Sequence, residues 1–301
     1  MTYRQSVANQ RTFALGAESL LKAWMIVAFG LAVLLLPMYV SLASGLWQED
    51  SQIHAPIIAI VTLYLFWLKR EAINRIAANP RPVVGGLFLL FGLALYIVGR
   101  SQNIPLFDVS AQIPVLIGIT LCMHGAELLK VFWFPLFFLF FMIPLPGFIL
   151  DVITQPLKHY VSVWGETLLY YSGYPIARDG VVLSIGPYQL LVADACSGLN
   201  AMFSLSSMGL LYLYLMQHQS FWRNTLLIVS ILPMAFLANL IRVIVLVLIT
   251  YYIGDEAAQG FLHGSAGMVL FIAGLLILIV LDFMLGRIWP DRLTAPRPEQ
   301  S

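Results

Sequence analysis

The amino-acid sequence predicts an all-α integral membrane protein of about eight transmembrane helices, with both termini cytoplasmic. Three observations predict it. Of the 301 residues, 60% are hydrophobic and 10% charged, with a mean hydropathy of +0.87; a soluble domain carries charge at about a quarter of its positions. Apolar runs near the length needed to cross a bilayer recur along the whole chain. Lys and Arg gather in alternate loops, the asymmetry that sets membrane orientation. A single polytopic domain over residues 1–301 follows, with an outer subregion, 151–197, that spans nothing.

The first run, Ala23–Ser44, follows Arg4, Arg11 and Lys22 and holds Pro37 and Tyr39, with Trp47 just beyond it. Its length and aromatic outer end suit an uncleaved anchor better than a signal peptide cleaved near Ala43. Ile53–Leu68 and Val83–Val98 are short and need flanking residues to reach both interfaces. Ile104–Met123 carries Asp108 early, so its helix is expected to begin near Val109. Val131–Leu150, Gly198–Met216, Asn224–Tyr252 and Gly264–Leu285 complete the set. The loop with Lys69, Arg70, Arg75 and Arg81 reads as cytoplasmic; alternation then puts Lys130, Arg223, Arg287, Arg292 and Arg297 on the same side. Glu49, Asp50, Asp255 and Glu256 fall outside, with Arg100 an isolated basic exception.

The outer subregion breaks the helical pattern. Thr154–Ser172 mixes Lys158, His159 and Glu166 with Val161, Trp164, Leu168 and Tyr170, the composition of an amphipathic helix on a membrane surface. Val181–Ile185 and Tyr188–Val192 flank Gly186-Pro187 and read as a small β-hairpin. It runs straight into Ala193–Gly198 and the sixth span.

The balance of 16 basic against 15 acidic residues leaves no surplus to neutralise phosphates, which excludes nucleic acid as a partner. The two cysteines, Cys122 and Cys196, fall at opposite ends of their helices, about one bilayer thickness apart, and are expected as free thiols. No Cys and His spacing suits a metal, and no cofactor is expected.

One charge stands out. Arg242 sits inside the apolar run Leu226–Tyr252, where a guanidinium needs a partner or a wet cavity. Asn239, three residues earlier, shares its helix face, so a purely structural packing contact is one reading. The other is a fixed positive charge for an oxyanion or a thiolate. Cys196 lies at a strand-to-helix junction, where unpaired N–H groups and the helix dipole favour a thiolate; the alternative is a small apolar filler. His263, beside Gly264, is either a general acid/base or an ordinary hydrogen-bonded loop residue. Asp194 could orient a base, pair with Arg242 or merely end the hairpin. His54, His124, His159 and His218 read as interfacial residues, His159 being a reserve base.

Ala193–Gly198 (ADACSG), Pro233–Val243 (PMAFLANLIRV) and His263–Gly267 (HGSAG) occur in the order of the exosortase/archaeosortase family, which the chain resembles in length and span plan. The resemblance implies a membrane transpeptidase with Cys196 as nucleophile, Arg242 as transition-state stabiliser and His263 as acid/base, Asn239 and Asp194 supporting. It further implies the bacterial cytoplasmic (inner) membrane with the site facing the periplasm. The implied partners are exported proteins with a C-terminal sorting signal: a short Pro-Glu-Pro-type motif, a transmembrane helix and a basic tail. Exopolysaccharide, lipid or water would accept the acyl group. Three rivals remain open, one of them a purely structural assembly subunit in which Cys196, Arg242 and His263 all tolerate alanine. A rhomboid-like protease would use Ser197, but Ala195 stands where that motif has Gly. A transporter or flippase would bind an anionic substrate at Arg242, but lacks the paired broken helices such folds show.

Overall fold

The computed structural model describes residues 24–48, 52, 54–191, 198–218, 220–264 and 266–289, and their side chains except at 148–151, 153–154, 198–203, 255, 261–264 and 266–271. The chain is mostly helical. In order come α1 (Trp24–Gln48), α2 (His54–Leu68), α3 (Glu71–Arg75), α4 (Pro82–Gln102), α5 (Pro105–Ser110), α6 (Gln112–Met123), α7 (Ala126–Val131) and α8 (Trp133–Phe138). After them come α9 (Gly147–Tyr171), β1 (Ile176–Asp179), β2 (Val182–Ile185), β3 (Tyr188–Leu191), α10 (Gly198–Met216), α11 (Phe221–Tyr252), α12 (Asp255–Gly264) and α13 (Ala266–Ile288). Among the described residues, four helical segments are long and apolar enough to cross a membrane: Trp24–Gln48, Pro82–Gln102, Pro105–Met123 and Phe221–Tyr252. At 1.5 Å per residue, α10 and α13 reach about 29 and 35 Å.

Pro82 at the first turn and Asn103 in left-handed geometry (φ 52°) bound α4, and Pro105 starts the next helix at once. The shortfall expected of Val83–Val98 is made up by these flanks. Gly85, Gly92 and Gly99, seven residues apart, press α4 against α5 and α6. A Cβ on Gly85 would lie 2.6 Å from Cys122 Sγ, and one on Gly92 2.7 Å from Val115 Cγ2. Small residues at such an interface let backbones close without a solvent-driven force.

The fourth helix does not wait for Val109. It begins at Pro105, and Asp108 is buried inside it because Arg100 Nη1 lies 3.4 Å from its carboxylate. Arg100 also donates to Ser41 Oγ at 2.9 Å, so this outer positive charge is neutralised and tied to α1. Tyr39 adds a second tie, donating to Gln112 at 2.9 Å, while Met38 and Leu42 of α1 are buried with Ala55, Ile58 and Val109.

The fifth run is not the continuous helix expected over Val131–Leu150. It breaks into α7, α8, a 3-10 turn at Leu139–Met142 and a non-helical passage through Pro144 and Pro146 before α9. The apolar helical piece, Trp133–Met142, would rise only about 15 Å. Its residues are apolar because they are buried by protein: Phe134, Leu136, Phe138, Leu139 and Met142 are all in the core. The Phe134 ring stacks on Tyr214 of α10, centroids 3.7 Å apart.

The amphipathic helix is longer than Thr154–Ser172, starting at Gly147 and continuing through Pro156. The hairpin is a three-stranded antiparallel meander. Ile176 pairs with Ile185, and Ile185 with Tyr188. The extra strand carries Arg178, whose Nε donates to Glu166 of α9 at 2.9 Å.

Candidate active site

The site is built around α11. Ser220 caps its start, its hydroxyl accepting from the Arg223 N–H. The helix then runs 32 residues, about 48 Å, against a hydrocarbon thickness of about 30 Å. Its second half packs against the sheet and its neighbours. Leu240, Val243, Leu246 and Val247 form one core with Val161 and Leu169 of α9, Leu183 and Ile185 of β2, and Ala258 of α12. Gly165 of α9 faces this core, where a Cβ would be 3.9 Å from Leu183, Leu240 and Val243 alike.

Arg242 lies between Leu240 and Val243, so along the helix it sits at the level of this core. It is 3% exposed, and Asn239 on the same face is fully buried. A cation this enclosed is held by surrounding polar groups.

The elements leading to the other candidates converge on α11. Strand β3 contacts it, and Tyr188 Oη lies 3.8 Å from where a Cβ of Gly254 (φ +114°) would stand, at the turn joining α11 to α12. That strand ends at Leu191 and α10 begins at Gly198. Asp194, Cys196 and the rival Ser197 fall between them, outside the described residues. His263 belongs to the last turn of α12, not to a loop; α12 packs on α11 and α13, and the His263 side chain is outside the described set. Arg242 and Asn239 thus share one face of α11, and α12, which bears His263, packs on the same helix.

Two histidines read as interfacial are core residues. His124 is 2% exposed, its Nε2 3.0 Å from the Ile73 carbonyl and its ring against Trp24. His218 belongs to a cluster that sequence reasoning missed. Asp282 of α13, 6% exposed, receives Arg223 Nε at 2.8 Å and Tyr212 Oη at 2.7 Å, with His218 Nε2 3.2 Å away. The signal was available: Asp282 is the lone charge within the last apolar run, as Arg242 is within the seventh. Cys122 is a free thiol, and among the described residues no three His, Cys, Asp or Glu side chains gather to hold a metal.

No curated protein and no solved structure matches the chain. A model of the transmembrane exosortase family matches residues 46–280.

Proposed function

Because the chain belongs to the transmembrane exosortase family, whose members are membrane peptidases and transpeptidases, we propose that it cleaves the C-terminal sorting signal of exported proteins through a Cys196 thioester on the extracytoplasmic side. The observation that carries this reading is the burial of Arg242 and Asn239 on one face of α11, under an outer layer whose next segments hold Cys196 and His263.

The substrate's transmembrane tail docks among the spans and brings its short motif to the outer interface. The Cys196 thiolate attacks a backbone carbonyl carbon, and the carbonyl π pair moves onto oxygen. Arg242 stabilises that oxyanion, and N–H groups at the start of α10 add to it. The imidazolium of His263 donates its proton to the leaving amine as the C–N bond breaks, and the tail departs as a free amine. His263, now neutral, takes a proton from water or from an acceptor hydroxyl on a saccharide or lipid. That oxygen attacks the thioester and releases the thiolate. Asn239 steadies the Arg242 side chain, and Asp194 orients the polar groups around it.

The test is a processing assay in bacterial inner membranes with a protein bearing the motif, helix and basic tail. Wild type removes the tail and Cys196→Ala does not; the mass of the new terminus distinguishes hydrolysis from transfer. Processing by Cys196→Ala at the wild-type rate would contradict the reading.

A further inference from the structure

The candidate residues lie in or just before three helices that pack on one another, α10, α11 and α13. Cys196 precedes α10 by two residues, Arg242 is in α11, and His263 precedes α13 by three. The same three helices are joined at their inner ends by the Asp282 cluster. Tyr212 comes from α10, Arg223 from the first turn of α11 and Asp282 from α13; His218 comes from the connection between α10 and α11. Arg223 grips α13 twice, its Nε on the carboxylate and its Nη2 3.4 Å from the Asp282 carbonyl. Gly286 makes the room: a Cβ there would lie 3.1 Å from Arg223 Nη2.

Apolar packing alone does not fix the height of one helix against another in lipid. The contacts above the cluster, Leu227 and Ile231 with Leu278, are non-directional. A carboxylate held by two donors at defined atoms, with His218 Nε2 3.2 Å away, is directional, and setting register is the best-attested use of a buried charge network. The heights agree with that use. From the cluster, α10 rises about 21 Å from Tyr212 to Gly198, α11 about 28 Å from Arg223 to Arg242, and α13 about 24 Å from Asp282 to Ala266. One shared fixed point therefore carries Gly198, Arg242 and Ala266 to heights within about 7 Å of one another.

We infer that Arg223 and Asp282 are positioning residues whose buried ion pair, with Tyr212 and His218, sets the register of α10, α11 and α13 and so levels Cys196, Arg242 and His263 for catalysis. The catalytic part of this inference rests on the proposed roles of those three; the register part does not.

The test uses the full chain in lipid nanodiscs and two readouts. For register, spin labels replace the exposed Ile253 and Ile272 as cysteines in a Cys122→Ala, Cys196→Ala background, and the distance between α11 and α13 is measured. For catalysis, kcat and KM for tail removal are measured with both native cysteines present. Asp282→Asn and Gly286→Val, which attack the cluster by charge and by volume, are compared with Leu278→Ala, which loosens the same helix without touching the cluster. Both cluster variants should shift or broaden the distance by about 5 Å, one helical turn. They should also lower kcat ten- to a hundredfold, on the order expected for misplaced groups, with KM little changed. Leu278→Ala should do neither, and the exchange Arg223→Asp with Asp282→Arg should recover part of the rate. An unchanged distance in both cluster variants overturns the inference whatever the activity. A shifted distance with wild-type kcat overturns it too, because the cluster would then be structural only. A wild-type protein that removes no tail would sink the peptidase reading, while the distance readout still decides the register role.

Discussion

At Arg242 geometry matters as much as charge. Its side chain is 3% exposed and its neighbours are Leu240 and Val243, so a replacement must supply both cation and fork inside a closed space. Arg242→Lys keeps the charge but not the planar pair of donors, and Arg242→Gln keeps donors but not the charge. Both should leave the protein folded in the membrane and lower kcat on the order of a hundredfold, the size of effect that single oxyanion donors carry elsewhere. Steady-state kinetics with matched membrane abundance checks this. A backbone effect is expected at Gly125. Its φ of +85° disfavours any L side chain, and a Cβ would collide with the Asn79 carbonyl oxygen. Gly125→Ala should lose about 2 kcal/mol or more, read as a lower unfolding midpoint in detergent. Arg242 was legible as a lone charge in an apolar run. Asp282 carried the same signal and was passed over, because its partner Arg223 read as part of a cytoplasmic loop when it is in fact the third residue of α11.

Among the elements, the small sheet offers the clearest contrast between two kinds of attachment. Leu183 is fully buried against α9 and α11, whereas the Arg178–Glu166 pair is about a quarter exposed. Truncating Leu183 to Ala should cost about 2–5 kcal/mol. Breaking the ion pair with Arg178→Ala should cost about 1 kcal/mol or less, because water screens it. Limited proteolysis of the 176–191 segment reads the difference: ready cleavage in Leu183→Ala, near wild-type resistance in Arg178→Ala. The sequence pattern revealed β2 and β3, where alternation surrounds Gly186-Pro187. It hid β1, because Ala177-Arg178-Asp179 has no apolar alternation and its charge faces a partner on another element. The fifth apolar run misled for a related reason. Hydropathy reports removal from water, and burial of Phe134 and Phe138 by protein looks the same as burial in lipid; only Pro135, Pro144 and Pro146 marked the break.

For the whole molecule, the helices divide into two groups. Glycine contacts join α4 to α5 and α6, and Arg100 ties them to Asp108 and Ser41; α9, α11 and α12 share a core with the sheet, the part to which the proposed chemistry is assigned. Orientation remains an expectation from Lys and Arg: cysteines placed singly at Arg75 and at Asp179 should react with a membrane-impermeant maleimide from opposite sides of the bilayer. Reaction of both from the same side would reverse the positive-inside assignment. We propose that this membrane protein severs an acyl–nitrogen bond through Cys196. The most direct test is capture of the intermediate: incubate a tailed substrate with wild type and with Cys196→Ser, quench in acid and weigh the adducts. Wild type should show a hydroxylamine-labile thioester on Cys196 carrying the substrate's N-terminal part, and Cys196→Ser should show no thioester. Tail removal by both proteins with no adduct at residue 196 would contradict the account.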